Sequence, residues 1–91
     1  MHPHVDITKI AEGEYGYSVS MADADKRHVR EGLASIAECL HDAATALAGH
    51  FEIAVLSFDG RPLGAYHVAA MEHRTLALAE TLRLRLAAPA A

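Results

Sequence analysis

Ninety-one residues with eight basic and twelve acidic side chains, a formal charge of −4 and no basic run leave no electrostatic footprint for nucleic acid. The single cysteine excludes an internal disulfide, and no apolar run approaches the ~18 residues of a membrane span. With no charged leader ahead of an apolar one, the expectation is a cytoplasmic domain over residues 1–91, frayed at 1–4 and 88–91.

In chain order, Val5 and Ile7 alternate with Asp6 and Thr8, a short strand over Val5 to Ile10. Gly13 supplies a turn, and Tyr15, Tyr17, Val19 and Met21 then alternate with Gly16, Ser18 and Ser20. This strict period of two predicts a half-buried second strand and a first hairpin. From Asp23 to Ala48 the apolar residues Val29, Leu33, Ile36, Leu40 and Leu47 recur at steps of three, four and seven, which predicts one long helix. Ser20 or Asp23 would cap its start and Gly49 would end it. Such a helix would be a rod of ~39 Å, longer than the roughly 30 Å diameter of a domain this size. It would have to bend, fray or project.

Phe51 to Phe58 is the most β-prone stretch, Asp59-Gly60-Arg61-Pro62 a turn, and Leu63 to Ala70 the returning strand of a second hairpin. Glu72 to Ala88 is rich in Leu, Ala, Glu and Arg and predicts a helix, although Leu82 to Leu86 also alternates like a strand. Leu78, Leu82 and Leu86 share one helical face while Leu76 and Leu84 point elsewhere. The order ββαββα predicts an α+β two-layer sandwich, with a four-stranded antiparallel sheet and two helices on one face. The runner-up is a ferredoxin-like βαββαβ order, with Tyr15–Met21 as its first strand and Thr81–Ala87 as its last.

No phosphate loop, nucleophile elbow, paired-cysteine motif or HExxH occurs, so no catalytic motif is present and no cofactor is called for. Glu38 and His41 stand at i,i+3 on one helical face, a weak metal-site candidate whose plainer reading is a solvated surface. His2 and His4 flank Pro3 and would take up metal incidentally, while His67 and His73 with Glu72 and Arg74 would form either a polar site or a solvated edge. Cys39 reads as a small buried hydrophobe. Tyr15, Tyr17, Tyr66 and His67 are ligand or interface candidates on the sheet, the tyrosines being equally suited to packing beneath the helices. Two functional readings follow. The first is a homodimeric binding or accessory module, joined through Leu78, Leu82 and Leu86 and open to a protein partner. The second is a small ligand-binding protein or enzyme with a pocket between sheet and helices.

Overall fold

Alternation in the opening residues builds a hairpin in the computed structural model, which describes residues 2–21 and 28–87. Strand β1 (His4–Ala11) pairs antiparallel with β2 (Glu14–Ser20), setting Val5 opposite Val19 and Ile7 opposite Tyr17. Their apolar faces turn inward, and Gly13 takes a positive φ of 72° in the turn.

The expected helix from Asp23 to Ala48 is not one element. Its first part is a strand, β3 (His28–Leu33), antiparallel to β2, and the helix α1 covers Ile36–Leu47. Of the two caps expected, Asp23 falls at 22–27, outside the described residues, and Ser20 ends β2 instead of opening a helix. The cause of the break is local. Gly32 adopts φ 81°, in the left-handed region that no α-helix uses, and β-branched Val29 suits a strand. Ser35 is the cap: its Oγ accepts from the Glu38 N–H at 3.2 Å, while the Glu38 carboxylate accepts from the Ala34 N–H, a variant of the capping box. Twelve residues span only ~18 Å, so the helix fits within a molecule whose radius of gyration is 12.2 Å. Its buried stripe is Cys39, Leu40, Ala43, Ala44 and Leu47.

Strands β4 (Ile53–Phe58) and β5 (Arg61–His67) form the second hairpin, with Asp59 (φ 49°) and Gly60 (φ 83°) supplying the two positive φ angles of a tight turn. Instead of four antiparallel strands, the sheet has five in the order β3-β2-β1-β4-β5, because β4 lies parallel to β1. The crossover that parallel pairing requires is provided by β2, β3 and α1 together. Pro3 is buried and its carbonyl accepts from the Val55 N–H at 2.9 Å, tying the chain start to β4. A bulge in β5 makes Leu63 an extra residue between Pro62 and Gly64, so Leu63 and Tyr66 both turn toward the helices, which simple alternation forbids.

The last segment is helical, with a break. Helix α2 (Val68–His73) begins where the strand was expected to continue to Ala70. Arg74, at φ −123° and ψ 39°, separates it from α3 (Thr75–Ala87). Since Thr81–Ala87 is helix and not strand, the ferredoxin-like order does not occur. The architecture is α+β, a mixed five-stranded sheet covered on one face by three helices. Val5, Ile7, Leu40, Leu56, Met71 and Leu82 are fully buried between the layers. Each contributes about 1.5–3 kcal/mol of burial. No helix among the described residues is long and apolar enough to cross a membrane.

Candidate functional site

Strand alternation and the β5 bulge aim all three tyrosines at the helix layer, away from the open face of the sheet. Tyr17 is 2% exposed, and its hydroxyl donates to Asp42 Oδ2 on α1 at 2.5 Å. Arg30 Nε from β3 lies 3.3 Å from the same carboxylate oxygen. Burial, and then the bond to Asp42, push the Tyr17 phenol well above the usual tyrosine range. Tyr66 is similarly engaged: Arg85 Nη1 donates to its hydroxyl at 2.7 Å and to the Leu63 carbonyl at 2.8 Å, strapping α3 to β5. Tyr15 is half-buried at the edge of the core. Cys39 is fully buried, and burial raises its thiol to about 12, so at neutral pH it carries no thiolate.

On the open sheet face the parallel pairing of β1 with β4 assembles a polar group that sequence reasoning missed. Ser57, 3% exposed, donates to Asp6 Oδ1 at 2.5 Å, and His4 Nε2 lies 3.1 Å from the same hydroxyl. Gly60 N–H also donates to Asp6 Oδ1, at 3.1 Å. The composition is that of a Ser-His-Asp triad and the connectivity is not. The serine proton is committed to the carboxylate, which leaves His4 to donate to the serine oxygen, whereas a nucleophilic serine must give its proton to histidine. The network satisfies a buried hydroxyl and joins β1, β4 and the β4–β5 turn. Nothing in the local sequence signals it, because Ser57 and Gly60 lie more than fifty residues from His4 and Asp6.

The helix layer offers a different kind of surface. Leu78 and Leu82, expected at a dimer interface, are instead buried in the protomer's own core, and Leu86 packs against its rim. The leucines left outside are Leu76, 79% exposed, and Leu84, 57% exposed. Leu76 stands between two shallow hollows that α3 makes with the start of α1. One, about 350 Å³, is lined by Leu33, Ala37, Glu38, His41, Asp42 and Thr75. The other, about 290 Å³, is lined by Tyr15, Ser35, Ile36, Ala37, Ala79, Glu80 and Arg83. Glu38 and His41 thus share the wall of a hollow, with Glu38 already occupied in capping α1. No group of three or more metal-ligating side chains occurs among the described residues.

A concavity of about 520 Å³, larger than either hollow, lies at the opposite end of α1. Ala48, Gly49, Phe51, Glu52, His67, Val68, Ala69, Glu72 and His73 line it. Its two walls are joined by the bond from Val68 N–H to the Glu52 carbonyl at 2.8 Å, which fixes Glu52 beside the start of α2. Glu72 Oε1 and His73 Nε2 stand 3.3 Å apart on its rim. His67 and His73 were visible in the sequence as a cluster with Glu72; Phe51 and Glu52 join them only through the strand-to-helix crossing at His67 and Val68. Comparison with known proteins brings no further assignment: no family model, curated protein or solved structure matches the chain.

Proposed function

We propose that the protein is a binding or accessory module that works as a homodimer, its two copies joined through the α1–α3 face. The observation that carries this reading is the exposure of Leu76 between two hollows that its own protomer leaves unfilled. A two-fold axis in the plane of contact, running across Leu76, sets each hollow against the partner copy's other hollow. The contact is then isologous. Stable pairs bury about 800 Å² per partner, more than two leucines supply, so Tyr15, Ile36, Ala37 and Ala79 belong to the same patch.

Native mass spectrometry of the untagged chain over a range of concentrations tests the reading. A dimer is expected, with Leu76→Glu giving a folded monomer, because the side chain is solvated in the protomer. Leu78→Glu places a charge in the core and is expected to unfold the chain. A wild-type monomer at high micromolar concentration, or a dimer indifferent to Leu76→Glu, would remove the α1–α3 face from consideration.

A further inference from the structure

The groove between the end of α1 and the start of α2 shares no residue with the proposed dimer face. Its volume of about 520 Å³ falls within the 300–1,000 Å³ of small-molecule sites. The apolar lining comes from Phe51, Val68, Ala48 and Ala69, and the charged or titratable side chains are Glu52, Glu72, His67 and His73. No lysine or arginine is among the lining residues. With its imidazoles neutral, the lining therefore carries two negative charges and no positive one.

We infer that this groove binds a small organic ammonium ion: a primary amine on an aromatic or branched aliphatic body, with the body on Phe51 and Val68, the ammonium group at Glu72, and Glu52 adding its negative charge to the same lining. Three features select that class. A bare metal ion would need a converging set of ligands, and no group of three or more occurs among the described residues. A carboxylate or phosphate would meet two like charges with no cation to offset them. A wholly apolar guest would leave the carboxylates unused, whereas an ammonium group offers three donors for charge-assisted bonds. Glu72 is the more buried of the two rim partners, its side chain 29% exposed against 73% for His73. The Glu52 backbone is held by its bond from Val68.

The test uses the full chain at pH 8 and three probes of one shape: phenethylamine, 2-phenylethanol and phenylpropionate. Two-dimensional amide NMR titration reads both affinity and location. Saturable shifts confined to the groove residues are expected with phenethylamine alone. Roughly tenfold weaker binding is expected in Glu72→Gln and in Glu52→Gln, whose spectra, equally dispersed, report that the fold is intact. Equal binding of the alcohol, binding of the carboxylate, or no saturable shift with the amine at ten millimolar would each overturn the proposal. So would wild-type affinity in both Gln variants.

Discussion

At the scale of single residues, Tyr17 shows how a burial pattern becomes an interaction. Its place in an alternating strand puts the ring under α1, where the hydroxyl would lack a partner without Asp42. Tyr17→Phe leaves Asp42 with only Arg30 and should cost about 1–3 kcal/mol in urea unfolding. The pH dependence has a definite sign. The folded phenol titrates above its unfolded value near 10, so its stabilisation is complete below about pH 10 and is lost as pH rises beyond it. Wild-type stability should thus fall more steeply than that of Tyr17→Phe above about pH 10; parallel curves would show that the hydroxyl is not held as described. The period of two was enough to mark Tyr17 as a facing residue, yet Asp42 is twenty-five positions away on another element. Glu38 is the converse case. Its spacing from His41 suggested a ligand, while its spacing from Ser35 marks a cap, and the cap is the role the fold uses.

Among elements, β3 is where periodicity misleads. Val29 and Leu33 continue the helical spacing of Ile36 and Leu40, but Val29 is exposed on the open face of the sheet and Leu33 closes a strand. Gly32 carried the contrary signal, because a left-handed residue interrupts any helix. A second glycine holds β3 in place. Next to the irregularity in β2, a Cβ at position 16 would lie 2.8 Å from the Arg30 carbonyl oxygen and 3.3 Å from the Glu31 Cα. These are backbone atoms, so the strand itself must move. Gly16→Ala should destabilise the protein by about 1–3 kcal/mol, with the largest hydrogen-exchange gains in β3 and little change in β5. Uniform exchange changes across the sheet would argue that β3 is not the element displaced. The β4–β5 hairpin, by contrast, was readable from Asp59-Gly60, since few dipeptides accept two positive φ angles. Its bulge was not, because parity after Leu63 depends on pairing with Ser57.

Across the whole molecule, the pairing of β1 with β4 is the decisive step and the one sequence pattern could least supply. Pattern says that a strand exists and which face it buries; it does not name the neighbour. Val5, Ile7 and Leu40 are enclosed only when Leu56 of β4 arrives beside β1. A fragment ending at residue 52 holds three strands and α1 but not that cover, and its amide spectrum should be poorly dispersed, while the full chain unfolds in one transition. A folded fragment would mean that the two halves are separable units. The same limit governs the sites. The groove and the Ser57 network are both made by contacts between distant segments, whereas Leu76 was legible as a leucine off the main stripe, though not as the one left in solvent.

The row of five strands has two free margins, and both discourage further strand addition. At one margin β3 presents His28, Arg30 and Glu31, charges that another chain would have to desolvate. At the other, β5 carries Pro62, which has no N–H to offer, and a bulge that kinks the backbone at Gly64. A sheet finished in this way resists zippering into fibrils, although its chain is more than half hydrophobic.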